Sequence, residues 1–297
     1  MHNSILYKNI TNDKVQCQTC SHYCTIKPGD KGICQVRQNI KGKLKVANYG
    51  RNTGLSVDPI EKKPLFRFMP GTNTLSFGAV GCNFKCLHCQ NYWTSQADYF
   101  YSHNFVENKN SPEEIVETAL ENNCPSISYT YTEPTIFLEY ALDSMKIAHK
   151  TKNKKGDNLK NVWVSNGFMS SQSLDLILPY LDAINVDLKS FSEQFYRHVC
   201  GARLKPVLNN LIKIKKAGVH LEVTSLIIPG KNDSETELKQ MADFVAQKLG
   251  RDTPWHVTAF YPTYKLEDIP PTSKETIILA RKIGQKAGLR FVYTGNI

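Results

Sequence analysis

From about residue 75 to the C-terminus, strand-like and helix-like runs alternate without interruption, and this alternation limits the available folds more than any other feature of the chain. The strand-like runs are Leu75–Val80, Ser126–Tyr131, Asn161–Ser165, Ala183–Leu188, His220–Ile227, Trp255–Phe260 and Arg290–Tyr293. Ser111-Pro112-Glu113-Glu114 reads as a capping box with proline at the first helical position, leading into a helix through Leu120. Further helical periodicity covers Ile136–Ala148, Ser171–Leu181, Pro206–Ala217, Ser234–Leu249 and Lys274–Ala287, and three of these runs stop at Gly218, Gly250 and Gly288. Strands separated by helices require right-handed parallel crossovers. Seven such strands exceed a small sandwich and fall one short of an eightfold barrel, so the expectation is an open, partial (β/α) barrel. In that architecture the chemistry sits on loops at the C-terminal ends of the strands.

Residues 1–70 follow another pattern and are expected to form a separate cysteine-rich unit and linker, with the barrel spanning 71–297. Ile33–Asn39 and Lys43–Asn48 read as a hairpin turning at Lys41-Gly42. The segment from Asp58 to Phe66 follows, and its Lys62 and Lys63 are expected in a solvated linker, with an acidic substrate at the barrel mouth as the functional alternative. Thr151–Asn161 is expected to be a solvated connection, and Asp98–Asn110 an irregular loop.

Nine cysteines are spread unevenly: Cys17, Cys20, Cys24 and Cys34 lie near the start, and Cys82, Cys86 and Cys89 fall within eight residues, while Cys124 and Cys200 stand alone. Disulfide frameworks space cysteines to close loops, whereas tight clusters point to metal or iron–sulfur ligation in a reducing compartment. The N-terminus lacks the apolar stretch of a signal peptide, and no apolar run approaches a membrane span, so a cytoplasmic protein is expected. The formal charge of +10 favours phosphate-bearing partners in general, but the lysines are scattered apart from Lys213, Lys215 and Lys216. A basic, zinc-containing nucleic-acid-binding protein is the non-enzymatic alternative; it leaves the central cysteine loop unexplained.

That loop, Gly81-Cys82-Asn83-Phe84-Lys85-Cys86-Leu87-His88-Cys89-Gln90-Asn91, follows the first barrel strand and has C-x3-C-x2-C spacing. Three thiolates can hold three irons of a [4Fe–4S] cube and leave the fourth open, whereas a structural zinc site wants a fourth protein ligand. Here the sequence resembles the radical S-adenosylmethionine superfamily, whose signature is this spacing in this loop. The resemblance implies a (β/α)6-type radical SAM barrel. It also implies a cluster, supplied with electrons by a flavodoxin- or ferredoxin-type donor, that binds and reductively cleaves S-adenosylmethionine (SAM). The 5′-deoxyadenosyl radical so formed abstracts hydrogen from a substrate. Members often carry an aromatic residue near the adenine just before the third cysteine, a place held here by His88.

Other strand ends carry polar groups that are costly to bury without partners. Glu133, in Thr130–Thr135, matches by position the acidic motif that holds the methionine amino group, and alternatively caps the following helix. Asn166, before Gly167, reads either as a ribose or carboxylate contact or as a turn former. Asp187 and Lys189 share one strand face and resemble the D-x-K of glycyl-radical activating enzymes, beside the cofactor's carboxylate; an internal ion pair is the alternative. His256 either approaches the cofactor and substrate or is a structural histidine. Cys17-x2-Cys20-x3-Cys24-x9-Cys34 supplies four thiolates, enough for a zinc tetrahedron or a second cluster. His22 is a competing ligand.

The order of these motifs, with Asp58–Leu65, Trp255–Tyr261 and Tyr293-Thr294-Gly295-Asn296, resembles the radical enzyme of the AmmeMemoRadiSam system, a group similar to pyruvate formate-lyase activating enzyme. That resemblance implies an oxidoreductase-type enzyme acting on a protein, or alternatively on a nucleic acid or small metabolite, alongside Memo-like and AMMECR-like proteins. Members of the group usually continue past the Thr-Gly-Asn motif into a segment with a further cysteine pair, whereas this sequence stops at Ile297.

Overall fold

A computed structural model describes residues 1–297, which divide into two compact units, Met1–Asn83 with Asn91–Ala183, and Phe84–Gln90 with Ile184–Ile297. Seven strands carry the α/β part: β1 (Asn73–Gly78), β2 (Ser126–Tyr129), β3 (Lys160–Ser165), β4 (Ala183–Asp187), β5 (His220–Ile227), β6 (Trp255–Ala259) and β7 (Val292–Gly295). Between them lie helices α1 (Pro112–Glu121), α2 (Leu138–Ala148), α3 (Ser171–Ile177), α4 (Leu204–Lys216), α5 (Glu235–Phe244) and α6 (Lys274–Lys286).

In the first unit β2 pairs in parallel with both β1 and β3. Arg51–Pro59 runs antiparallel along the other side of β1, and Asn108–Lys109 closes that edge. In the second unit β6 pairs in parallel with β5 and β7, and β4 adds to the far side of β5. Neither run of strands closes on itself, so the sheet is open. The strands are buried on both sides, as parallel sheets require. On one side of β1 and β2 Phe77 and Tyr129 pack under Phe137 and Tyr140, with ring centroids 5.3 to 5.9 Å apart. On the other side Thr74 donates to the Ser126 carbonyl at 3.1 Å and bonds the Ser128 hydroxyl at 2.8 Å.

Local chemistry explains most element ends. Ser111 accepts from the Glu114 amide at 3.2 Å while the Glu114 carboxylate accepts from the Ser111 amide at 2.7 Å, which completes the capping box of α1. Ser170, Ser234 and Ser273 cap α3, α5 and α6 in the same way through their side chains. The N-terminal region forms two small antiparallel sheets, one of them carrying the expected hairpin, with Arg37–Ile40 paired to Lys43–Val46. No helix is long and apolar enough to cross a membrane.

Two expectations fail. The Asp98–Asn110 stretch is not wholly irregular: a helix covers Ala97–Ser102, because Phe100 and Ala97 are buried on one face, and Asn108–Lys109 pairs with Arg51–Asn52. Lys63 is not in a solvated linker. Its side chain is 3% exposed and donates to Asp58 at 2.8 Å, whereas Lys62 is 67% exposed, because Ile60 and Leu65 are driven into the core beside Val162 and draw Lys63 in with them.

Candidate functional site

The first unit gathers its polar groups at the C-terminal ends of β1, β2 and β3. Glu133 is fully buried and N-caps the short 3₁₀ turn Pro134–Phe137. Its Oε1 accepts from the Thr135 amide at 3.0 Å, the Thr135 hydroxyl at 2.5 Å and the Ser165 hydroxyl at 2.9 Å, and Oε2 accepts from the Asn166 amide at 2.8 Å. Burial raises its carboxyl pKa, and these donors oppose the rise. Asn166 in turn donates to the Asn83 side chain at 2.7 Å and accepts from the Phe168 amide at 3.0 Å. Asn83 follows Cys82 directly, so Cys82, Asn83, Asn166 and Glu133 form one continuous polar network. The Asn83 amide nitrogen is buried and has no partner of its own.

The N-terminal cysteines belong to this same unit. Cys17, Cys20, Cys24 and Cys34 line one pocket together with His22 and Arg37. Burial, then the neighbouring Cys17 thiol, drives the Cys20 thiol well above its ordinary pKa, with Cys34 and Cys24 adding to the rise. No group of three or more Cys, His, Asp or Glu side chains is gathered tightly enough to hold a metal as it stands. The donor set, four thiols in one pocket, nonetheless fits a thiolate-bound metal, since ligation removes the repulsion and desolvation that raise these thiols. Behind the pocket a buried Arg37 donates to both Glu139 oxygens, at 2.6 and 2.9 Å, and to Ser4 at 2.6 Å.

The two cysteine groups are joined within this unit. The His22 ring bonds the Asn83 carbonyl at 2.7 Å, and Ser21 donates through its amide to the Phe168 carbonyl and through its hydroxyl to the Met169 carbonyl, each at 3.0 Å. Gly81 has φ +104°, and a Cβ there would lie 2.9 Å from the Cys34 carbonyl oxygen, so only glycine permits this approach.

The second unit places Cys86, His88 and Cys89 with Asp187 and Lys189. Lys189 donates to Asp187 at 2.9 Å, and its amide donates to the Tyr196 hydroxyl at 3.2 Å. Burial works against the Lys189 charge, but Asp187 and the thiols of Cys86 and Cys200 outweigh it and push its pKa well up. The Cys86 thiol is raised by a hydrogen bond with Cys200 and by burial, while Lys189 favours its thiolate. His88 is buried, and desolvation with the nearby Lys189 charge pushes its pKa down to about 3. His256 on β6 sits apart from this group, paired at 2.6 Å with the fully buried Glu222 of β5 and stacked on Tyr293 at 5.2 Å. Glu222 also meets His220 at 3.0 Å. Three thiols on one loop, one of them beside a fixed ammonium group, are a donor set suited to an iron–sulfur cluster with an open iron.

Sequence reasoning missed Asn83, Glu222, Cys200 and the Arg37–Glu139 pair. Glu222 had a readable signal, a carboxylate two residues from His220 in an otherwise apolar strand. Arg37 and Glu139 lie too far apart in sequence for any local pattern to join them.

An open, mostly parallel α/β sheet with a cysteine loop after its first strand defines a class of cofactor-dependent enzymes. The family model described as "Radical SAM superfamily" matches residues 78–245, and the chain belongs to that superfamily, whose members use a [4Fe–4S] cluster and SAM. The chain is 43% identical to the uncharacterized protein MJ0808 of Methanocaldococcus jannaschii, over 100% of this chain and 86% of that one. It is 23% identical to MJ1632 of the same organism, provisionally named a glycyl-radical enzyme activating enzyme, over 69% of this chain and 74% of that one. Among solved structures, a radical SAM methyltransferase from Sphaerobacter thermophilus shares the fold, with a TM-score of 0.58 at 15% identity, covering 76% of this chain and 67% of the other. The expected partial barrel is therefore the fold observed.

Proposed function

We propose that the protein is a hydrogen-abstracting radical SAM oxidoreductase resembling the glycyl-radical activating enzymes, with a protein as substrate. The observation that carries this reading is the Cys82/Cys86/Cys89 loop after β1, inside the matched family region. When bound there, a reduced [4Fe–4S] cluster and SAM supply a radical that removes a hydrogen atom. The chain's own residues bind and orient. Cys82, Cys86 and Cys89 hold the cluster. Glu133, with Ser165 and Asn166 fixed around it, receives the ammonium group of the methionine moiety. Asp187 holds the Lys189 ammonium in place for the carboxylate, and His88, kept neutral, lies beside the adenine. His256, held by Glu222, orients the ribose side from β6.

The same reading assigns a structural zinc ion, rather than a second cluster, to Cys17, Cys20, Cys24 and Cys34. It places the enzyme in the cytoplasm, in an AmmeMemoRadiSam system beside Memo-like and AMMECR-like proteins, reduced by a flavodoxin or ferredoxin. The relationship to MJ1632 supports the activase-like part.

Anaerobically reconstituted protein given dithionite and SAM is expected to release 5′-deoxyadenosine, and Cys86→Ala to release none. Equal release by both proteins overturns the assignment. Metal analysis of the Cys82/Cys86/Cys89 triple alanine variant then decides the N-terminal site: about one zinc per chain supports it, and about four irons replace it with a second cluster.

A further inference from the structure

Cys200 stands apart from both cysteine groups in sequence, but the second unit places it against the central loop. It is fully buried at the end of the turn Tyr196–Cys200. Its carbonyl accepts from the Lys85 amide at 2.8 Å, and the Val199 carbonyl accepts from the Leu87 amide at 2.9 Å, so one backbone bond lies on each side of Cys86. The Leu87 carbonyl accepts from the Lys265 amide at 3.0 Å and anchors the loop a third time. Phe84 meets Tyr196 edge-on at 6.2 Å. Gly201, at φ +69°, ends the turn in a left-handed conformation, and a Cβ there would lie 3.4 Å from the Lys85 Cβ. The turn is thus laid flush on the loop, and the thiols of Cys86 and Cys200 are hydrogen bonded to each other.

We propose that Cys200 is a positioning and tuning residue for the cluster: with Cys86 bound to iron as a thiolate, the buried Cys200 thiol donates an S–H···S hydrogen bond to it and raises the cluster's reduction potential. This rests on the reading of Cys86 as a cluster ligand. An electron added to the cluster adds negative charge to the ligand sulfurs, so a fixed donor to one of them stabilises the reduced state more than the oxidised one. No water competes at a fully buried thiol, and the low local dielectric strengthens the bond. Lys189 acts on Cys86 in the same direction and Asp187 against it, so the Cys200 bond adds to a balanced charge pair.

The test compares wild type with Cys200→Ala and Cys200→Val, which remove the donor with and without loss of volume, and with Cys200→Ser, which keeps a donor. Each reconstituted protein is titrated anaerobically with dithionite while the reduced-cluster signal is followed by electron paramagnetic resonance. Both non-donor variants are expected at a more negative midpoint than wild type, with Cys200→Ser at or above wild type. Coincident midpoints for wild type, Cys200→Ala and Cys200→Val overturn the proposal, as does a Cys200→Ser midpoint that falls with the non-donor pair. If wild type itself takes up no [4Fe–4S] cluster, it is the assignment of Cys86 that fails, a result distinct from coincident midpoints.

Discussion

Lys62 and Lys63 are adjacent and chemically identical, yet their free energies of interaction should differ severalfold. Lys63 is buried against Asp58, which also accepts from the Tyr131 hydroxyl at 2.7 Å, while Lys62 reaches the same carboxylate from solvent. Removing one member of a buried ion pair leaves the other without compensation, so Lys63→Met is expected to cost about 3 kcal/mol in urea unfolding. Lys62→Ala should cost under about 1 kcal/mol, as exposed pairs do. Similar losses for both would sink this account. Residue identity alone could not separate them; burial of Ile60 and Leu65 decides it. At Glu133 the sequence offered a cap or a cofactor contact, and the cap is present: the carboxylate holds Thr135, Ser165 and Asn166 in place. Glu133→Gln is therefore expected to weaken SAM binding and lower the melting temperature together. Unchanged melting would show that the donors around it find other partners.

At the scale of elements, most of the architecture was legible because local signals agree with tertiary packing. All seven strands appear within a few residues of their expected positions, and the serine caps start the helices. Ser111→Ala should cost about 1 kcal/mol of stability, the usual value of an N-cap. What was not legible depends on partners distant in sequence. The helix Ala97–Ser102 is too short to show periodicity and forms around buried Phe100. The turn Tyr196–Cys200 takes its position from Lys85 and Leu87, more than a hundred residues earlier. Gly81 reads in the sequence as part of a motif, yet its φ of +104° and its closeness to Cys34 give it a second task. Gly81→Ala should therefore impair metal uptake at the N-terminal cysteines as well as at the central loop; full metal content at both would contradict this.

Across the whole molecule, acid should be the condition that most readily loosens the first unit. In Asp58 and Glu139 burial would raise the carboxyl pKa, but hydrogen bonds from Lys63 and Tyr131 outweigh it in the one and the Arg37 charge in the other, and both are lowered. Groups with depressed folded pKa values contribute stability that is fully present above their unfolded values of about 3.9 and 4.3 and is lost as pH falls through the folded ones. Unfolding free energy should thus be level from neutrality to about pH 5 and then decline, and Glu139→Gln should flatten that decline. An unchanged acid limb in the variant argues against the Arg37–Glu139 pair as its source.

The bond from the His22 ring to the Asn83 carbonyl, with Gly81 flush on Cys34, has a consequence for biogenesis. Cys82 hangs between those two contacts, so whatever fills the N-terminal pocket also sets the backbone from which the first central cysteine is presented. Maturation should then be ordered, the N-terminal cysteines loading first and the oxygen-sensitive step following on a chain already drawn into place. Cells starved of the first metal would accumulate full-length protein unable to accept the second.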